Sequence, residues 1–131
     1  MADIVTVGVL DASVAVKIVV PEAGTADSLA AFDRPVRWVA PRLLVVEVAS
    51  ALRRKVSGHA LLPVDAAAAL AALLDAVADG VIDLADDESF VTAALNLALA
   101  EREGAFLVSA DRKLTALARR RHIEVVEIPT A

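Results

Sequence analysis

The chain has 131 residues, the length of one domain, and residues 1–131 are expected to fold as one unit around a sizeable core. Hydrophobic residues make up 58%, many of them alanine, which suits packed helices better than a β-sandwich. A net charge of −5, with three Phe, one Trp and no Tyr, weighs against a general nucleic-acid coating protein and against single-strand recognition by stacked aromatics.

The first element is the β-rich, apolar run Ile4 to Leu10, which suits a central parallel strand covered on both faces. It ends at Asp11, and Ser13 is placed to cap a short helix that Pro21 stops. A second helix spans Gly24 to Phe32, then a strand Arg37 to Val39. After Pro41 the pattern predicts a helix from Arg42 to Ser57, closed by Gly58. Val64 to Asp79 is an Ala/Leu helix with Asp65 near its start and Gly80 as its stop. Val81 to Leu84 reads as a strand, and Ser89 opens a helix running to Glu103 before Gly104. Phe106 to Val108 is a strand, Arg112 to Arg121 a helix and Ile123 to Ile128 a last strand. Strands alternating with helices predict an α/β protein, a three-layer α/β/α sandwich with a mostly parallel central sheet.

The best candidate for a membrane span, Phe90 to Ala100, is too short for a bilayer and carries Thr92 and Asn96. Asp3 and Asp11 break the pattern of a signal peptide, so a soluble cytoplasmic protein is expected. The absence of cysteine fits that compartment and removes disulfides and thiolate metal sites from consideration.

In open α/β sheets, sites gather at the carboxyl ends of strands. Asp11 follows the first strand directly, and Asp111 follows the Phe106–Val108 strand after a two-residue step. Each has an ordinary alternative as a helix-start residue that satisfies free N–H groups. Asp11 also closes an otherwise apolar central strand, where an unpartnered charge is costly. Glu47 stands in a strongly apolar helix. Val45, Ala49, Leu52 and Val56 form a core stripe at helical spacing, and Leu43, Glu47, Ser50 and Arg54 share a mixed line opposite. That line allows Glu47 as a solvated side chain loosely associated with Arg54, or as a metal ligand.

Three segments carry a family resemblance. Leu10-Asp11-Ala12-Ser13-Val14-Ala15-Val16-Lys17, followed by Pro21-Glu22, resembles the first motif of PIN-domain ribonucleases of the VapC type. Pro41 to Leu44 with Glu47-Val48-Ala49 and Ala51-Leu52-Arg53-Arg54 resembles the second. Ala98 to Glu101 and Gly104 to Leu114, which includes Ser109-Ala110-Asp111, resembles the C-terminal motifs. The segments are in order, at suitable spacing, over nearly the whole chain.

The resemblance implies that Asp11, Glu47 and Asp111 bind Mg²⁺ or Mn²⁺ and carry catalysis. The metal would activate a water, orient the scissile phosphate and stabilise the leaving oxygen. It implies an RNA substrate, a VapB-like antitoxin and a homodimer, with Ser13 and Ser109 supporting the site. Lys17 has two readings, a phosphate contact or a surface residue.

One position departs from the pattern. VapC-type sequences carry Asp-Ala-x-Tyr in the helix before Gly104, and that segment falls on Thr92-Ala93-Ala94-Leu95, with Thr92 in place of the acid. A neutral hydroxyl is a poor Mg²⁺ ligand beside a carboxylate. Asn96, one turn on, would offer a neutral oxygen, and Asp86, Asp87 and Glu88 lie in the preceding loop. The departure keeps open a second reading, a PIN-like module with weakened catalysis that binds protein or RNA.

The basic runs Arg53-Arg54-Lys55 and Arg119-Arg120-Arg121-His122 both lie near helix ends, where cations complement the dipole; RNA backbone contact is the other reading. A haloacid-dehalogenase-type phosphatase needs a second Asp where Ser13 stands. No P-loop or glycine-rich dinucleotide turn is present.

Overall fold

A computed structural model of the chain describes residues 6–85 and 92–129, apart from the side chains of 92–95. In chain order the elements are β1 (Val7–Leu10), α1 (Ala12–Val19), α2 (Thr25–Phe32), β2 (Arg37–Pro41), α3 (Leu43–Ser57) and α4 (Pro63–Ala78). They continue with β3 (Ile82–Ala85), α5 (Thr92–Glu103), β4 (Phe106–Ser109), α6 (Arg112–Arg120) and β5 (Val125–Glu127). The expected α/β class is what the chain adopts. The strands form one sheet in the order β3-β2-β1-β4-β5, with every neighbouring pair parallel.

The sheet is buried on both faces, and strand alternation sorts its side chains between two cores. Leu10, Trp38, Ala40, Phe106 and Val108 pack with residues of α1, α3 and α4 on one face. Val9, Val39 and Leu107 pack with Leu97 and Leu99 of α5 and with Leu114 and Ala118 of α6 on the other. This makes three layers. Each fully buried Val or Leu contributes about 1.5–3 kcal/mol, and β1, with Val9 and Leu10 both at 1% exposure or less, lies in the middle of both cores.

Gly8 in β1 is required by packing. A Cβ there would lie 2.6 Å from Trp38 and 2.8 Å from Phe106. Those rings meet edge to face across β1, with centroids 5.6 Å apart.

Two local expectations are corrected and one is met. The buried stripe of α3 is Leu44, Val48 and Leu52; it keeps Leu52 of the predicted stripe and replaces Val45 and Ala49 by the residues one position earlier. That rotation turns Glu47 from the solvated side toward a half-buried flank. Gly58 closes α3 as expected, its N–H donating to Arg54 O at 2.9 Å, and the left-handed residue is the next one, His59, with φ of 58°. Ser13 does not cap α1: Asp11 holds the N-cap position, and no side chain satisfies the first turn there.

Candidate functional site

The strand order reverses between β1 and β4. From β1 the chain builds outward through β2 to β3 on one side, then returns to lay β4 and β5 on the other. Crevices at the carboxyl ends of strands flanking such a switch point are the usual ligand sites of open α/β sheets. Here the residues that follow β1 and β4 are Asp11 and the Ala110-Asp111 pair. Leu10 is in register with Val108, and the backbone N–H of Asp11 donates to Val108 O at 3.3 Å. Asp11 is therefore held level with Ser109.

Asp11 is a carboxylate at 7% exposure, a costly position for a charge unless hydrogen bonds replace water. Three neutral donors do so. Asn96 Nδ2 donates to Oδ1 at 2.8 Å, Ser109 Oγ donates to Oδ2 at 3.0 Å, and Ser13 Oγ donates to Oδ2 in a short contact. Each serine hydroxyl also accepts from the loop after β4: Ser13 Oγ from Ala110 N at 3.1 Å, and Ser109 Oγ from Asp111 N at 3.0 Å. With one proton each, the two hydroxyls spend it on Asp11 and use lone pairs for the loop. The two serines thereby tie the position of the β4–α6 loop to that of Asp11.

Asp111 has a different environment. It is exposed, and its Oδ1 accepts from the backbone N–H groups of Lys113 at 2.9 Å and Leu114 at 3.2 Å, capping α6. The ordinary helix-start role considered for both aspartates thus holds for Asp111 and not for Asp11. Capping uses one carboxylate oxygen and leaves Oδ2 without a bond to the described residues.

Both aspartates line one open pocket of about 620 Å³, together with Ser13, Asn96 and, from α3, Glu47, Ser50 and Arg54. The spacing of Glu47, Ser50 and Arg54 puts them on one flank of the helix. Three carboxylates from three separate elements therefore face one cavity, with a guanidinium at its rim. Among the described residues, no three Asp, Glu or His side chains stand close enough to form a ready metal ligand set.

The donor chemistry nevertheless suits a hard divalent cation, which takes oxygen ligands; Mg²⁺ in particular keeps several waters and needs only one or two carboxylates. Asn96 adds an uncommitted neutral oxygen. Its amide nitrogen must face the acceptor-only Asp11, so its Oδ1 is buried without a partner among the described residues.

Thr92 begins α5, but its side chain lies outside the described residues, as do Asp86, Asp87 and Glu88. Lys17 is not a surface residue. It is 9% exposed, and its Nζ donates to Ala23 O at 2.8 Å and pairs with Glu22 at 3.4 Å. In the C-terminal basic run, Arg121 pairs with Glu101 at 2.7 Å and Arg119 lies 3.8 Å from Glu127. Arg121 and His122 line a cleft with Thr6 and Phe106, at the amino ends of the strands and away from the acidic pocket.

Sequence reasoning did not anticipate Ser13 as a support for the β4–α6 loop. A serine two residues after a strand-end aspartate was the visible signal, and it also fits a cap.

Comparison with protein families matches residues 8–127 to the PIN domain. Among solved structures, the chain is similar to a domain of a functionally unknown protein from Methanocaldococcus jannaschii DSM 2661. The TM-score is 0.60 at 14% identity, over 96% of this chain and 93% of that one, a likeness of fold alone. No curated protein matches.

Proposed function

The chain belongs to the PIN-domain family, generally a nuclease fold, and on that premise we propose that it is a Mg²⁺- or Mn²⁺-dependent endoribonuclease. We assign it as the toxin of a VapBC-type pair, acting in the cytoplasm as a homodimer and neutralised by a VapB-like antitoxin. No helix among the described residues is long and apolar enough to cross a membrane. One observation carries the catalytic reading: Asp11, Glu47 and Asp111 line a single pocket at the sheet's switch point.

In this reading the three carboxylates hold the cation and the serines set their geometry. Asp11 stays fixed because three donors converge on it, so little rearrangement is needed during turnover. Ser109 carries that order to the backbone of Asp111. Mg²⁺ or Mn²⁺, when bound, supplies Lewis-acid polarisation of the scissile phosphate and lowers the pKa of an attacking water. The open pocket admits a strand of RNA while Arg54 supplies positive charge at its edge.

A second reading is a PIN module with weakened or lost catalysis that binds protein or RNA. It is favoured by the neutral residues Thr92 and Asn96 in α5 and by the absence of a ready three-ligand set among the described residues.

RNA cleavage with Mn²⁺ decides between them. Wild-type cleavage abolished by Asp11→Asn supports the nuclease. A silent wild type that gains activity on Thr92→Asp or Asn96→Asp supports the weakened module. Cleavage that survives the Asp11→Asn change sinks the site assignment.

A further inference from the structure

We propose that Arg54 is a phosphate-binding residue that holds the backbone phosphate next to the scissile one, so that the RNA strand leaves the acidic pocket along the last two turns of α3. This rests on the ribonuclease reading for the identity of the strand, while the site itself rests on geometry and charge.

Arg54 lines three adjoining cavities. It stands at the rim of the acidic pocket, in a second cavity of about 370 Å³ with Ser13, Glu22 and Lys55, and in a third of about 400 Å³ with Ser50, Arg53 and Ser57. All three share Arg54 as a lining residue on α3, and the sign of the lining charge changes there. On one side lie Asp11, Glu47 and Asp111. On the other, the only acid among the lining residues is Glu22, and it is flanked by two cations, Lys17 at 3.4 Å and Lys55 in a short contact.

Arg53 and Arg54 are exposed, and among the described residues neither side chain has an ion pair or hydrogen bond. The Arg54 guanidinium is thus uncommitted beside three carboxylates, where the simplest expectation is an internal salt bridge.

The physical need is specific to a polyanion. An acidic pocket that takes one phosphate through a cation repels the neighbouring phosphates. A cation at the rim is required to hold the strand in place. The guanidinium fork matches phosphate oxygens in a bidentate manner, and exposure keeps its desolvation cost small. Helix-dipole complementarity explains cations in the last turn of α3, but not why Arg54 faces the acidic cavity.

The test pairs Arg54→Ala with short single-stranded RNAs in which each linkage in turn is a neutral methylphosphonate, assayed with Mn²⁺. The expected result is that neutralising one linkage adjacent to the cleaved bond lowers wild-type kcat/KM about tenfold, the scale of one charge-assisted hydrogen bond. Arg54→Ala is expected to lose about as much on native RNA and to be insensitive to that same linkage. The salt slope of binding should fall by about 0.7. A variant as sensitive to every linkage as the wild type overturns the proposal.

If the wild type cleaves nothing, the nuclease reading fails separately. The same comparison is then read as binding, by anisotropy of labelled oligonucleotides in Ca²⁺. Coupling of Arg54 to one linkage upholds the phosphate site, and equal affinities, or no binding at all, overturn it.

Discussion

Asn96 Nδ2 donates to Asp11 Oδ1 across 2.8 Å, joining two buried side chains from helix α5 and the end of β1. The bond sets the amide's orientation, because a carboxylate only accepts, and it leaves Asn96 Oδ1 without a partner among the described residues. The neutral residue thus stabilises the charge it faces, where a second carboxylate would oppose it.

Removing that donor should be costly. Asn96→Ala leaves a buried carboxylate oxygen unsatisfied and is expected to lower stability by about 1–3 kcal/mol, read by urea denaturation. Asn96→Asp should be less stable still in EDTA, through like-charge repulsion, and should recover more than the wild type on adding Mn²⁺. A wild-type urea midpoint for Asn96→Ala would refute the role of this bond.

Ser109 couples the two aspartates, donating to Asp11 and accepting from the backbone of Asp111. Ser109→Ala removes both bonds from a fully buried position, and a loss of about 2 kcal/mol is expected. Ser109→Thr preserves the hydroxyl and should retain more RNA cleavage than Ser109→Ala. Equal cleavage by the two variants would show that the hydroxyl is dispensable.

Asp111 has a capping role that is separable from any chemistry. Asp111→Ala should cost about 1 kcal/mol, while Asp111→Ser keeps a side-chain acceptor for the first turn of α6 and most of that stability. Both variants should lose metal-dependent cleavage. Full activity in Asp111→Ser would confine the residue to capping.

Metal binding should depend on the pair. Calorimetry with Mn²⁺ is expected to give heats for the wild type and none for the Asp11→Asn, Asp111→Asn double variant, with circular dichroism confirming that the variant is folded. Equal binding by the two proteins would remove both residues from the site.

Gly8→Ala tests the packing beneath the site. Its methyl group would press into Trp38 and Phe106, both buried, and overpacking of this kind costs about 1–3 kcal/mol. Trp38 is the only tryptophan, so its fluorescence reports the transition directly.

Local pattern was enough for the layers and for the strand-end aspartates. An uninterrupted apolar run predicted a strand buried on both faces, and alternating strands and helices predicted the sandwich, because both signals are written within about ten neighbouring residues. Motif order along the chain carried the family. What α3 turns toward the site required tertiary structure, since a one-position shift in part of its stripe separates a solvated Glu47 from one that lines the pocket.

The adjacency of β1 and β4 is likewise absent from local spacing, and it brings Ser109 onto Asp11 from 98 residues away, while the packing of α5 on the sheet brings Asn96 from 85 residues away. Tertiary structure also separates the two aspartates, both near strand ends, into a buried carboxylate held by side chains and an exposed one held by a helix end. Arg54 and Arg121, both near helix ends in basic runs, part for the same reason. One stands at the acidic rim and the other is paired with Glu101 at the amino ends of the strands. Periodicity reports which residues a segment buries; which partners meet them depends on how distant segments pack.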